Sequence, residues 1–135
     1  MDKTLLIWKY LLPLLENNDE FKRLVDTKYV YPIMVTDTEA KFPCVVYKRD
    51  SLVPQYTKYN PGYYGWTNTI SISITVYSDN YNEGLYIINL IRDILENYHE
   101  ENEEIKIHPL EIVNSTEYYS EGVFSQTLTF SVTAE

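Results

Sequence analysis

Between Ile70 and Tyr77 the chain alternates without interruption. Ile70, Ile72, Ile74 and Val76 point one way; Ser71, Ser73, Thr75 and Tyr77 point the other. A period of two in β-branched residues predicts a strand with one buried face. The period then changes. Gly84, Ile87, Ile88, Ile91, Ile94, Leu95 and Tyr98 recur at three- and four-residue steps, one stripe of an α-helix, while Asp93, Glu96 and Asn97 fall away from it. Asn80 with Glu83 three residues on predicts a capping box at the helix start. Gly84 lies on the apolar stripe, at a helix-propensity cost of ~1 kcal/mol relative to Ala, which predicts a close approach of helix and sheet. This strand–helix unit is the expected centre of the core.

The same reading extends along the chain. Asp2 caps a first helix with Leu5, Trp8, Leu11, Leu12 and Leu15 as its apolar stripe, and Pro13 should kink or end it near Leu12. Asn17 or Asn18 opens a second turn over residues 19–25, with Phe21, Leu24 and Val25 inward. Residues 29–35 read as a short strand that Pro32 confines to an edge or bulge, residues 36–41 as a polar turn, and residues 42–48 as a strand with Pro43 at its start. Residues 51–67, with Pro54, Pro61, Gly62 and Gly65, predict an irregular loop. The acidic run at residues 98–104 predicts a solvated turn, with the helix stopping near Tyr98 because negative charge is unfavourable at a helix C-terminus. Residues 105–113 read as strand interrupted by Pro109. Residues 117–119 and 123–132 form a hairpin about Ser120-Glu121-Gly122, its second strand placing Phe124, Leu128, Phe130 and Val132 on one face and Ser125, Thr127, Thr129, Ser131 and Thr133 on the other. Two strands with smooth hydroxyl faces, in the order helix, strands, helix, strands, predict an α+β fold. Its sheet is mainly antiparallel, with helices packed on one face and residues 1–135 forming a single domain.

Composition narrows the chemistry. A net charge of −9 argues against a broad basic surface for nucleic acid, so no sequence-specific DNA or RNA partner is expected. The apolar run from Leu5 to Leu15 is interrupted by Lys9 and Pro13 and is too short to span a membrane. The lone Cys44 cannot form an internal disulfide and reads as a small buried hydrophobe. His99 and His108 lie in unrelated contexts, no H-x-x-x-H or C-x-x-C spacing offers a metal site, and no Gly-rich phosphate loop or G-x-S-x-G elbow is present. The adjacent Glu100 and Glu101 are not opposed across a cleft. The expectation is therefore a non-enzyme without a cofactor.

The unusual number is tyrosine, 14 against four phenylalanines. Tyrosine offers a rigid apolar body with a polar tip and is favoured where proteins meet. A coding bias toward Asn, Tyr, Lys and Ile would also produce it. Tyr56, Tyr59, Tyr63, Tyr64 and Trp66 concentrate in the 51–67 stretch. Long loops in compact domains tend to be functional, and exposing so many aromatics on a monomer invites aggregation, so these five are the candidate interface residues of a subunit contact. The alternative is a flap folded back over its own sheet.

The ordered pieces resemble the tail terminator, or tail completion, proteins of long-tailed bacteriophages. They are the first amphipathic helix ending in the Leu24-Val25 turn, the strand Phe42-Pro43-Cys44-Val45-Val46-Tyr47, the strand Ile72-Ser73-Ile74-Thr75-Val76-Tyr77-Ser78 running into Tyr81-Asn82-Glu83-Gly84 and the helix ending Ile91-Arg92-Asp93-Ile94-Leu95, and a long final strand. Each motif is diffuse; their order spans about residues 5–132. The resemblance implies a structural virion protein of the tail or neck, assembled in the bacterial host cytoplasm. It implies a homo-oligomeric ring, a hexamer in the family, that caps the tail tube and ends its polymerisation. It also implies contacts with the tail tube protein and the head–neck connector protein. Another neck, head-completion or baseplate component, or a non-viral protein-binding module, is the alternative.

Overall fold

A computed structural model describes residues 3–55 and 67–135. The helices are α1 (Ile7–Glu16), α2 (Asp19–Leu24) and α3 (Tyr81–Leu95). The strands are β1 (Val30–Pro32), β2 (Cys44–Gln55), β3 (Thr67–Ser78), β4 (Glu100–Glu101), β5 (Lys106–Ile107), β6 (Glu111–Ser120) and β7 (Val123–Ala134). They form one curled sheet in the order β1-β2-β3-β7-β5-β4, with β6 also paired to β7. Only β1 and β2 run parallel; every other pair is antiparallel. The α+β, mainly antiparallel expectation holds.

Alternation along β3 does what its residues predict. Ile70, Ile72, Ile74 and Val76 are fully buried, and across the ladder they meet Val132, Phe130, Leu128 and Gln126 of β7. Ile87, Ile88, Ile91 and Leu95 of α3 close over this face, joined by Ile7, Trp8, Leu11 and Leu15 of α1 and by Phe21 and Val25. The cap at α3 is built differently from a capping box. Asn80 Oδ1 accepts the Glu83 N–H at 3.0 Å, as expected. The Glu83 carboxylate, however, accepts from the Ser78 hydroxyl at 3.0 Å, and Ser78 Oγ in turn accepts the Asn80 N–H at 3.0 Å. The last residue of the strand thus relays the bond that the box would make directly. At Gly84 a Cβ would lie 3.6 Å from Ser78 Cβ and 3.8 Å from Gln126 Cγ, which is ordinary contact; close approach does not require the glycine.

Several expected boundaries move. Pro13 does not end α1. It sits exposed inside the helix, and Lys9, whose carbonyl loses its donor, is exposed too, so water can take the bond. The buried stripe of α1 includes Ile7, while Leu5 stays half-exposed in a 3-10 turn before it. The cap of the second helix is Asn18, whose Oδ1 accepts the Phe21 N–H at 2.9 Å. The largest change concerns residues 51–67. Residues 51–55 continue β2, Thr67 begins β3, and the two strands pair out to Gln55 opposite Thr67. Among the described residues the other side of β2 is unpaired at Pro54, β1 reaching only Val45 to Tyr47, which suits a residue without an N–H. The acidic run forms β4 of a small hairpin, held by Asn102 Oδ1 accepting the N–H groups of Glu104 and Ile105, with Ile105 buried beneath. α3 stops at Leu95, and Asn97 at φ 66° turns the chain away.

The hydroxyl face is not wholly open. At one end Tyr31, Cys44 and Val46 form a second small core with Tyr29, Val35, Ala40 and Tyr77. Farther along, Thr75 and Thr127 share a hydrogen bond of 2.8 Å. Two bulges interrupt the outer strands, at Asp50 in β2 and at Val113 in β6. Asp50 uses its place to accept from the Ser73 hydroxyl at 3.1 Å and to pair with Lys48 at 3.4 Å.

Ile74→Ala or Ile91→Ala should each lower stability in urea unfolding by ~2–5 kcal/mol through the cavity left behind. Gly84→Ala should instead raise it by up to about 1 kcal/mol, the helix-propensity difference, because its new methyl meets nothing closer than ordinary contact.

Candidate functional site

The turn between β6 and β7 has only two central residues, Glu121 at φ 50° and Gly122 at φ 82°. Positive φ at both matches the I′ turn that suits the twist of a hairpin. It sets the register Ser120 to Val123, Tyr119 to Phe124 and Glu117 to Gln126. These last four side chains therefore share the face on which α3 lies, and the first residue of α3, Tyr81, comes down onto them.

A cavity of about 240 Å³ results, lined by Tyr81, Glu117, Tyr118, Tyr119, Phe124 and Gln126. The Phe124 ring sits between two tyrosines, with centroids 5.5 Å from Tyr81 and 4.8 Å from Tyr119, both tilted. Glu117 forms the polar side. Its Oε2 accepts the Tyr81 hydroxyl at 2.8 Å and the Gln126 amide at 3.0 Å. The Gln126 bond first, and the Tyr81 bond after it, hold the Glu117 carboxyl below its usual range, while the same contact raises the Tyr81 phenol. Tyr118 and Tyr119 are 71% and 57% exposed and Tyr81 39%, an aromatic concentration that a free surface rarely leaves to water.

A second apolar feature lies on the opposite face. Ile33, Met34, Val35, Ala40, Phe42, Cys44, Tyr77 and Val123, with one carboxylate, Asp37, line an open groove of about 430 Å³. At its rim Ile33 has φ 69°, and Met34 N–H donates back to Pro32 O at 2.7 Å across it. That is the rare, strained γ-turn, here on a β-branched residue. It leaves Ile33 and Met34 72% and 61% exposed.

Tyr56, Tyr59, Tyr63, Tyr64 and Trp66 all lie outside the described residues. Tyr81, Tyr119 and Phe124 escaped the sequence reading because a three-residue turn at 120–122 does not pair Tyr119 with Phe124. The two-residue Glu-Gly turn was the signal available for it. Among the described residues no group of three His, Cys, Asp or Glu side chains is placed to hold a metal ion. His99 is exposed, its Nδ1 3.3 Å from Asn97 O. His108 Nε2 lies 3.1 Å from Glu135 Oε1. Cys44 is buried, which pushes its thiol up and away from the reactive thiolate. No helix among the described residues is long and apolar enough to cross a membrane.

No protein-family model and no curated protein matches the sequence. Among solved structures the chain is similar to one from the virion of a native gene transfer agent particle. The TM-score is 0.77 at 16% identity, covering 93% of this chain and 91% of that one. At that identity the likeness shows a shared fold.

The depressed Glu117 carboxyl has a pH consequence. The folded protein holds this proton less readily than the unfolded chain, so the group stabilises the fold above the ordinary carboxylate range, about pH 4, and the contribution is lost as pH falls through the lowered value. Glu117→Gln should therefore unfold at lower urea than wild type at pH 7, and the gap should close toward pH 3. A gap independent of pH would mean the side chain matters for packing alone.

Proposed function

We propose that this chain is a structural protein of a phage-like virion. In this reading it forms a ring that caps the tail tube, ends tail polymerisation and offers the surface on which the head–neck connector docks. The observation that carries the reading is the fold it shares, over nearly the whole of both chains, with a component of a gene transfer agent virion. The surface chemistry is in keeping with it. A head-to-tail ring needs two different patches on each subunit. The described residues supply two unlike ones, the aromatic–carboxylate edge at Tyr81, Tyr119 and Phe124 and the aliphatic rim at Ile33 and Met34. Tyr56, Tyr59, Tyr63, Tyr64 and Trp66, which fall in sequence between β2 and β3 and lie outside the described residues, are proposed as a further contact. The partners would be other copies in a hexamer, the tail tube protein and the connector. The same fold also suits another neck, head-completion or baseplate role, and labelling the protein along the particle separates these positions.

Particles made without this protein should carry tails of unregulated length that fail to join heads, as seen by electron microscopy. Tails of normal, capped length joined to heads would remove the terminator role. Replacing Tyr63, Tyr64 and Trp66 together with Ser should leave the melting temperature of the isolated protein unchanged and weaken assembly. A collapse of that temperature would make these residues part of the core instead.

A further inference from the structure

Charge is distributed unevenly along this chain. Residues 79–135 hold 12 of the acidic side chains and only two basic ones, Arg92 and Lys106; residues 1–78 hold eight acidic and nine basic. The sheet keeps the two populations apart. β2 with Lys48 and Arg49 lies toward one edge, and β6 with Glu111 and Glu117 lies at the other. The Tyr81–Phe124 cavity therefore opens within the acidic half, with Asp79 and Glu83 flanking Tyr81 in sequence and Glu121 at the adjoining turn.

We infer that this cavity is a receptacle for a basic side chain, an arginine above all, presented by a partner protein. Three features of the site select that ligand. Its walls are the rings of Tyr81, Tyr119 and Phe124, whose faces attract a cation. Its polar side is the Glu117 carboxylate, held in place by Tyr81 and Gln126 through one oxygen, Oε2. Among the described residues no donor reaches the other oxygen, Oε1, so that oxygen remains to accept a charge-assisted bond. Among the described residues no basic side chain lines the cavity, so an anion would meet the Glu117 carboxylate with no cation to offset it. Arginine suits it better than lysine because a planar guanidinium stacks on an aromatic ring while its edge donates to a carboxylate. The size decides between a projecting side chain and a free small molecule. About 240 Å³ falls below the ~300–1,000 Å³ of pockets that engulf a ligand, yet is ample for a guanidinium head. The reading of this chain as a virion component bears only on who presents the arginine; the pocket's chemistry stands apart from it.

The test uses the full chain and N-acetyl-L-arginine amide as probe, followed by NMR. The citrulline analogue, isosteric but uncharged, serves as control. Arginine amide should shift resonances of Tyr81, Tyr119, Phe124 and Gln126, and citrulline amide should bind at least about threefold more weakly, the order an exposed cation–π contact supplies. Glu117→Gln, which keeps the shape and the aromatic walls but removes the carboxylate charge, should weaken arginine amide binding and narrow the difference between the two probes. Equal shifts from both probes in wild type, shifts scattered over the surface, or none as the probe is raised to its solubility limit would each overturn the inference. If the probe binds but particles lacking the protein have normal tails joined to heads, the terminator role falls and the pocket stands. If tails are unregulated and the probe does not bind, the reverse holds.

Discussion

The structure depends on keeping one aliphatic ladder dry. Four β-branched side chains of β3 stand in a row on one face, and a strand so patterned is stable only if something apolar covers it. α3 supplies that cover, and it follows β3 after a turn of two residues, so the cover is delivered by the adjacent stretch of chain. The Ser78–Asn80–Glu83 relay fixes where the helix begins relative to the strand it must cover. Everything else is arranged about this pair. β2 and β7 flank β3, α1 and α2 fill the space beside α3, and the remaining strands extend the sheet outward to edges that face water.

The surface around this core carries an unusual polar chemistry. Tyr10, Tyr81, Tyr86 and Tyr98 each donate a phenolic hydroxyl to a glutamate, at 2.8 to 3.1 Å. Part of the tyrosine excess thus has a plain use. Three of these carboxylates, Glu100, Glu104 and Glu117, lie in the acidic half of the chain, where lysines and arginines are few, and there phenols partner them through charge-assisted bonds and add apolar surface besides. The surface keeps its negative field while its side chains are still held in position.

The centre of this fold could be read from the residues, and its periphery could not. A period of two followed by a period of 3.6 has a single physical interpretation when the apolar residues are isoleucines, and Ile70–Val76 and Ile87–Leu95 lie where the pattern puts them. Pro13 and Pro54 misled because what proline costs depends on whether the missing bond would have faced protein or water, which composition does not state. The aromatic pocket was hidden for a similar reason. Tyr81, Tyr119 and Phe124 belong to three elements, and only the one-residue choice of turn length at Glu121-Gly122 brings two of them into register. Gly84 shows the converse: it invites a packing explanation, and the distances around it do not demand one.

The bulges at Asp50 and Val113 bear on what kind of assembly this molecule can enter. Among the described residues β6 has no neighbour on its outer side and β2 has one only at Val45 to Tyr47, and each bulge throws the backbone out of step with a straight strand laid beside it. Growth by stacking main chain on main chain, the route to cross-β fibrils, is thereby hindered along β2 and β6. Contact along these two strands is left to side chains, whose shape and charge select a partner where main-chain bonding would accept almost any strand.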